Sequence, residues 1–220
     1  MALNVVSEAR RCLNCKKPMC MEGCPISTEI PKMIQMFLNG EMEEAGEMLF
    51  DNNPLSVVCS LVCSHEKQCQ GHCVLGRKGN PVHISSIENY ISTTYLDRLK
   101  FEKPESNGKM VGIVGSGPAR ITIAIELARR GYDVTIFESK DKIGGVLRYG
   151  IPEFRLPKAI VQKEVEGLEK MGVKVMTDMV IGKVLSIDEL MNDYGFEAVY
   201  VASGAGLPRF MGIPGESLKG

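Results

Sequence analysis

The stretch Cys12-Leu-Asn-Cys15-Lys-Lys-Pro-Met-Cys20-Met-Glu-Gly-Cys24-Pro25 brings four cysteines together near the start of the chain. The other four of the eight cysteines follow soon after, and they are Cys59, Cys63, Cys69 and Cys73. Thiolate sulfur is the soft ligand that iron-sulfur clusters require, and a C-x2-C pair that leads to Cys-Pro is typical of proteins with two clusters. The spacing therefore predicts an electron-transfer protein.

Disulfide bonds and structural zinc are the two other common uses of clustered cysteines. The segment before Cys12 has neither the apolar run nor the cleavage site of a secretory signal, which disfavours disulfides. Zinc sites also begin with C-x2-C, but the longer cysteine intervals and the Cys-Pro step fit them less well. We expect clusters, and structural zinc is the alternative.

Composition divides the 220 residues into two parts. Residues 1–105 hold every cysteine and all three histidines, whereas residues 109–220 carry strand and helix patterns in alternation. The polar segment 101–108, which contains Pro104 and Gly108, is the expected linker. The sequence predicts a two-domain α+β protein, with a small all-α iron-sulfur domain followed by a Rossmann-like α/β domain.

Charge and hydropathy exclude two classes of partner. The net charge is -1, which gives no basic footprint for nucleic acid or an anionic membrane. No apolar run approaches the roughly eighteen residues of a membrane span. We expect a soluble, cytoplasmic protein that contacts neither nucleic acid nor membrane.

Apolar spacing in the first domain predicts three helices, over 30–39, 42–50 and 85–99, the first of them ended by Gly40. Such helices would wrap around the cofactors. His65 and His72 lie among the cysteines, but enough thiolates are present without them. We expect these imidazoles beside the cofactors or at the surface.

The second domain begins with the order of a dinucleotide-binding βαβ unit. An apolar strand over 109–115 enters a glycine turn, a helix over 121–130 follows, and a strand over 133–138 ends in Glu138. Glycines let the backbone approach a pyrophosphate at the helix N-terminus, and an acid at this place can accept a hydrogen bond from a ribose hydroxyl. The candidate residues of the turn are Gly115, Ser116, Gly117, Pro118 and Ala119.

Arg120 stands where this fingerprint normally has a third glycine or another small residue. Either its side chain leans outward at some cost in packing, or dinucleotide affinity is reduced. We expect the outward orientation, because the rest of the fingerprint is intact.

The sequence after Glu138 favours flavin over nicotinamide. Gly144-Gly145 offers a turn that can lie against a bulky cofactor, and Arg148 and Arg155 bring cations near it. Helices are expected over 157–171 and 186–194, and strands over 172–177 and 197–203. The last strand leads into the glycine turn 204–206.

Four stretches carry a resemblance to a known family. They are Glu8-Ala-Arg-Arg-Cys-Leu-Asn-Cys-Lys-Lys-Pro-Met-Cys20, Gly23-Cys-Pro-Ile26, His65-Glu-Lys-Gln-Cys69 and Gly144-Gly-Val-Leu-Arg-Tyr-Gly-Ile-Pro-Glu-Phe-Arg-Leu-Pro157. With these the chain resembles the N-terminal half of the NADPH-dependent glutamate synthase small subunit family. That family includes the large subunit of the bifurcating NADH-dependent ferredoxin:NADP oxidoreductase and the N-terminal part of dihydropyrimidine dehydrogenase.

The resemblance implies two 4Fe-4S clusters and one FAD, in a helical ferredoxin-like domain over 1–105 and a partial Rossmann-like FAD-binding domain over 109–220. It assigns Cys12, Cys15 and Cys20 to one cluster, with Glu88 as the fourth ligand on the helix after the cysteines. It assigns the other cluster to Cys24, Cys63, Cys69 and Cys73. Cys59 is left over, and residue spacing alone does not choose between Glu88 and Cys59. The positions implied for FAD are Gly115, Ser116, Gly117, Pro118, Ala119, Glu138, Gly145, Val146, Arg155 and Gly204.

The resemblance also implies a role. In the intact enzyme NADPH would reduce FAD, which would pass electrons through the clusters to a large catalytic subunit or to a ferredoxin or flavoprotein partner. No side chain is expected to act as an acid, base or nucleophile. The NADPH site would lie in a C-terminal half that does not follow Gly220, so the chain is expected to be a fragment or a split gene product. A non-catalytic adaptor with a degenerate flavin site is the rival account.

Overall fold

The computed structural model describes residues 4–205 and 209–218. Six α-helices precede the first strand, and a short 3-10 turn lies at Val74–Arg77. These helices are α1 (Val5–Ala9), α2 (Met19–Glu22), α3 (Ile30–Asn39), α4 (Met42–Asn52), α5 (Ser56–Val62) and α6 (Ile84–Arg98). The elements that follow are β1 (Met110–Val114), α7 (Pro118–Arg129), β2 (Asp133–Phe137), α8 (Val146–Tyr149), α9 (Lys158–Lys170), β3 (Lys174–Met176), α10 (Ile187–Asn192) and β4 (Ala198–Val201).

Elements from α1 to α6 form a helical region, in which the three helices predicted from apolar spacing are confirmed as α3, α4 and α6. Gly40 ends α3 in the left-handed conformation, at φ +85°, which glycine adopts without steric cost. The buried faces of these helices form one apolar core, and Met33, Ile34 and Ile87 are completely buried in it. Cysteines line the edge of that core, so the packing of the helices sets where the sulfur atoms lie.

The start of the chain is fastened to the loop before α6. The buried Glu8 carboxylate accepts a hydrogen bond of 2.8 Å from the backbone N–H of His83 and is also paired with Arg11. Arg11 in turn donates to the carbonyl oxygens of Asn80 and Pro81. Because Arg11 directly precedes Cys12, this network fixes the first cysteine relative to α6.

Elements from β1 onward form a sheet region, with one four-stranded sheet in the order β3-β2-β1-β4 and every pair parallel. β1 and β2 are joined through α7, which confirms the predicted βαβ order. The centres of the two inner strands, β1 and β2, are buried on both faces, as in parallel sheets covered by helices, whereas the outer strands β3 and β4 are largely exposed. The carboxyl ends of β1 and β4 are neighbours, so the turns that follow them meet at one edge.

The two regions share an apolar core across the predicted domain boundary. Phe50, Leu55 and Val58 from α4 and α5 pack with Ile113 and Ile121 of the sheet region. The predicted linker takes part as well, since the Phe101 ring lies 6.3 Å from that of Phe50. The helical region is therefore anchored on the sheet region through apolar contacts.

In the described ranges 4–205 and 209–218, no helix is long and apolar enough to cross a membrane.

Candidate cofactor sites

A first cavity in the helical region is lined by four cysteines. Cys12 and Cys15 come from the loop after α1, Cys20 lies in α2, and Cys73 directly precedes the 3-10 turn. The rest of the lining is apolar, and includes Leu13, Met19, Ile30, Ile34, Leu75, Val82 and Ile84. Soft sulfur donors in an apolar wall are the chemistry that an iron-sulfur cluster requires.

A second cavity is lined by the remaining four cysteines and by one carboxylate. Cys24 begins the segment after α2, Cys59 lies in α5, Cys63 ends that helix, and Cys69 lies in the turns that follow. Glu88 reaches the same cavity from α6. Ile30 borders both cavities, so the two sites are adjacent.

This division of the ligands differs from the expected one. The sequence expectation put Glu88 with Cys12, Cys15 and Cys20, and Cys73 with the second set. In the structure Cys73 and Glu88 are exchanged between the two cavities. The turns after α5 carry Cys73 back towards α2, whereas the side of α6 that bears Glu88 faces α5. Cys59 lines the second cavity rather than lying apart from both.

Burial raises the pKa of several cavity groups, whereas hydrogen bonds from Cys63 and Asn53 lower the pKa of Cys59 to about 7. Burial, reinforced by the nearby Cys12 and Cys73 sulfurs, raises the pKa of Cys20 to about 11. Burial and the Glu88 charge raise the pKa of Cys69 to about 12. Burial also raises the pKa of Glu88 to about 8, with a smaller contribution from Cys59. A metal centre that binds here must displace these protons.

Polar groups around the second cavity are partly unsatisfied. His65 lines the cavity, and its buried Nε2 has no hydrogen-bond partner in the part of the chain that the structure describes. Cys59 Sγ, by contrast, accepts a hydrogen bond of 3.1 Å from Asn53 Nδ2. His72 also has a partner, because its Nδ1 lies 2.7 Å from the Gln68 carbonyl oxygen. The open imidazole nitrogen fits a cavity that receives a further polar body, such as the sulfur of a cluster.

Structural zinc, the alternative to clusters, needs its ligands grouped closely around one ion. A tetrahedral zinc site holds each sulfur about 2.3 Å from a single ion. Over residues 4–205 and 209–218, no three His, Cys, Asp or Glu side chains are grouped closely enough to hold one metal ion.

In the sheet region the turn between β1 and α7 has the geometry of a phosphate cradle. Gly115 adopts φ +95°, Gly117 is the N-cap of α7, and Pro118 begins that helix. A side chain on Gly115 would meet the Ala202 carbonyl oxygen at 3.0 Å. The first N–H groups of α7 lie beside this bare backbone, where an anion is favoured.

Two buried polar side chains, Ser116 and Glu138, support the turn between β1 and α7 through hydrogen bonds. Ser116 is buried, donates its hydroxyl to Glu138, and accepts a hydrogen bond of 3.0 Å from the Gly144 N–H. Glu138, at the end of β2, accepts a second bond of 3.0 Å from the Lys140 N–H. Glu138 thus lies beside the cradle, as predicted for a ribose acceptor, and still has a lone-pair direction to offer.

The glycine turn at Gly144–Gly145 packs directly against the turn at Gly115–Gly117. Gly145 has φ +50°, and a Cβ on it would lie 2.7 Å from the Cα of Gly117. Gly145 is the N-cap of α8, a short helix that the sequence analysis did not predict. Val146, the first residue of that helix, is half exposed. Pairs of glycines are needed here because two backbones touch.

Arg120 does not take the expected outward orientation. Its guanidinium lies over the glycine turn, with Nη1 2.9 Å and Nε 3.3 Å from the places that side chains on Gly117 and Gly115 would occupy. Gly204, after β4, is also close to this guanidinium, because a Cβ on Gly204 would lie 3.7 Å from Arg120 Nη2. The long side chain folds back because three glycines leave room for it. Gly206, in the same predicted turn, lies outside the described residues.

Arg155 lies between the two kinds of site. It is exposed, and its Nη2 donates a hydrogen bond of 3.4 Å to the Val62 carbonyl oxygen at the end of α5. Cys63 is the next residue, so the second cavity is the one that adjoins the sheet region. The first cavity lies on the other side of Ile30.

Known protein families match both regions. Residues 2–99 match the family described as dihydropyrimidine dehydrogenase domain II, 4Fe-4S cluster. Residues 113–160 match the family described as an NAD(P)-binding Rossmann-like domain. The chain therefore combines an iron-sulfur domain with a Rossmann-like region that has a parallel sheet.

Full-length relatives agree with these matches. The chain is 36% identical over 213 residues to the NAD-dependent dihydropyrimidine dehydrogenase subunit PreT of Escherichia coli O157:H7, which covers 94% of this chain and 52% of that protein. It is 35% identical over 222 residues to the glutamate synthase [NADPH] small chain of Halomonas elongata, with 99% of this chain and 46% of that protein covered. Over most of its length the chain is homologous to part of the glutamate synthase small chain and of PreT. This confirms the resemblance predicted from the motifs.

A eukaryotic relative gives the same result. The glutamate synthase [NADH] of Saccharomyces cerevisiae is 37% identical over 217 residues, which are 96% of this chain and 10% of that protein. All three relatives are oxidoreductases or subunits of them by name. The chain spans about half the length of the two bacterial relatives that it matches.

Proposed function

We propose that this chain is the electron-transfer part of an NAD(P)H-dependent FAD and iron-sulfur oxidoreductase of the glutamate synthase small-subunit type. The observation that carries the proposal is the pair of adjacent cysteine-lined cavities, one of which adjoins a βαβ unit with a glycine cradle. When bound, the clusters and the flavin supply one-electron and two-electron chemistry. The protein supplies ligands, distance and a dry, apolar surrounding.

Two 4Fe-4S clusters are proposed, one for each cavity. Cys12, Cys15, Cys20 and Cys73 would hold the first, and Cys24, Cys63, Cys69 and Glu88 would hold the second. Glu88 is preferred to Cys59 as the fourth ligand of the second, because Cys59 Sγ already accepts a hydrogen bond from Asn53. The His65 N–H could then bond to a cluster sulfur, which is a known way of raising a cluster potential.

The dinucleotide is proposed to be FAD. Its pyrophosphate would lie at Gly115–Ala119, its ribose near Glu138, and its larger ring system towards Gly145, Val146 and Arg155. The close contact between the two glycine turns supports this, since it leaves bare backbone on both sides of the cradle. Gly204, on the next strand end, would border the same site.

The arrangement gives the two cavities different roles. Val62 and Cys63 connect the second cavity with Arg155 of the sheet region, so that cavity would exchange electrons with the flavin. The first cavity would then face the partner. Burial of both sites in apolar side chains lowers the local dielectric and excludes water.

The wider assignments rest on the homologues. Residues 1–105 would be an all-α, helical ferredoxin-like domain, and residues 109–220 the first part of the FAD domain. The whole enzyme would carry an NADPH site outside this chain. Its partner would be a large catalytic subunit, or a ferredoxin or flavoprotein, in the cytoplasm.

The rival function is a non-catalytic iron-sulfur adaptor, which the Arg120 guanidinium over the glycine turn favours. Purification without oxygen, followed by assay of iron, acid-labile sulfide and flavin, separates the two. The proposal predicts about eight irons and one FAD per chain. Iron without flavin, after incubation with excess FAD, would support the adaptor instead.

A further inference from the structure

The Arg120 guanidinium occupies a defined place at the start of α7. Each of its three nitrogens faces a different glycine: Nη1 faces Gly117, Nε faces Gly115 and Nη2 faces Gly204. These glycines belong to the turns after two neighbouring strands, β1 and β4. The side chain therefore lies across the glycine cradle and contacts the turns after both strands.

The guanidinium is also short of partners. Its Nε is buried and makes no hydrogen bond to any residue that the structure describes. Within those residues no carboxylate forms an ion pair with Arg120. Moreover, the N-terminus of α7 carries the positive end of the helix dipole, which repels a cation. The guanidinium and the helix N-terminus together favour an anion at this place.

The donors that converge on this turn indicate which anion they would bind. A guanidinium presents a planar fork of N–H donors that matches phosphate oxygens, and helix N-termini bind phosphate through backbone N–H groups. Both groups converge on the glycine turn, where the fold binds the pyrophosphate of a dinucleotide. An anion between them would accept a hydrogen bond from Arg120 Nε. It would also reduce the repulsion between the guanidinium and the α7 dipole.

We propose that Arg120 is a direct ligand of the dinucleotide pyrophosphate, and this rests on the proposed FAD site. Its side chain, which is partly exposed, rotates off the glycines and closes over the phosphates when the dinucleotide binds. A side-chain cation thus takes the place of the small residue at the third fingerprint position. The competing possibility is that Arg120 plugs the cradle.

FAD titration of the purified chain, followed by quenching of flavin fluorescence, tests this proposal. Three variants are compared with the unchanged chain: Arg120→Met keeps the length without the charge, Arg120→Lys keeps the charge without the fork, and Arg120→Gly restores the usual fingerprint. Arg130→Met, at the exposed far end of α7, is the control. Circular dichroism and iron content show that each variant is folded.

As a ligand, Arg120 should make FAD binding about 10- to 100-fold weaker when it is changed to Met or Gly, with Lys in between. The dependence of affinity on salt should also become shallower in Arg120→Met, because one phosphate contact is lost. Arg130→Met should change neither quantity.

Two results would overturn the proposal and leave the flavin site in place. One is tighter FAD binding by Arg120→Gly than by the unchanged chain, which would identify a plug. The other is equal binding by Arg120→Met. If none of the proteins binds FAD although iron content is normal, the proposed flavin function fails together with this inference.

Discussion

In the helical region the groups that face the cavities are side chains, whereas in the sheet region the cradle is made mainly of glycine backbone. Eight cysteines and Glu88 line the first kind of site, and the turns at Gly115–Gly117 and Gly144–Gly145 form the second. Sulfur ligands are lost by changing one side chain. A backbone cradle is lost only when a side chain is added. The two regions should therefore respond to opposite kinds of substitution.

The largest effect is expected from removing one sulfur. Cys69→Ala takes a ligand from the second cavity, so iron should fall from about eight to about four atoms per chain. Iron and acid-labile sulfide assays on protein purified without oxygen measure this. Cys59→Ala is the matched control, because it removes a sulfur from the same cavity that is not a proposed ligand. Equal iron loss in both variants would mean that Cys59 is a ligand.

The sheet region contains a buried acid, and this should make stability depend on pH. Glu164 on α9, the helix that packs on α5, is 1% exposed, and neither carboxyl oxygen has a hydrogen-bond partner among the described residues. Burial raises its pKa to about 8, so the folded protein keeps this proton up to a higher pH than the unfolded chain. The stabilisation is complete below the ordinary pKa of 4.5 and falls as pH rises to about 8.

Glu164→Gln should remove this dependence. At pH 8 the variant should be about 4 kcal/mol more stable than the unchanged protein, with little difference near pH 5. Denaturant unfolding at several pH values measures it. Glu166→Gln, on the exposed side of the same helix, is the control and should leave the pH profile unchanged. A Glu164→Gln profile that falls between pH 5 and 8 as steeply as that of the unchanged protein would contradict the account.

Adding one methyl group to the backbone cradle should have the next largest effect. Gly145→Ala sets a Cβ 2.7 Å from the Gly117 Cα in a left-handed backbone, which should cost about 3 kcal/mol and abolish FAD binding. Gly182, at φ +93°, also has a positive φ, but a Cβ on it would meet open space, so Gly182→Ala is the control. It should cost only about 1 kcal/mol. Thermal unfolding and FAD titration of both variants test the difference, and equal losses would show that the contact is unimportant.

The smallest effect should come from exchanging the oxygen ligand. Glu88→Gln keeps an oxygen donor in the second cavity but removes the charge, so iron content should stay at about eight while one of the two cluster EPR signals shifts. Glu88→Asn, one methylene shorter, should lose part of the iron. If the spectrum of Glu88→Gln is unchanged, Glu88 does not touch the cluster.

Sequence reasoning reached the architecture because strong local patterns encode it. The apolar periodicity of α3, the Ser186 cap of α10, and the strand-turn-helix order around Gly115 are all set by neighbouring residues. The short helices α1, α2, α5 and α8 were missed. Each has at most seven residues, which is too few for a clear helical period.

The distribution of ligands was beyond what spacing can predict. Cys73 and Glu88 are fifteen positions apart, and only the packing of α5 against α6 decides which cavity each one reaches. Arg120 shows the same limit, because its orientation depends on space left by Gly204, more than eighty positions away. Glu164 gave no sequence signal, since its helix is otherwise an ordinary amphipathic one.

The central claim is that seven of the eight cysteines, together with Glu88, hold two iron-sulfur clusters beside a flavin site. Iron, acid-labile sulfide and zinc should be measured in protein purified without oxygen, together with EPR spectra after reduction. The account predicts about eight irons and eight sulfides per chain, and two interacting 4Fe-4S signals. Stoichiometric zinc with no sulfide would contradict it.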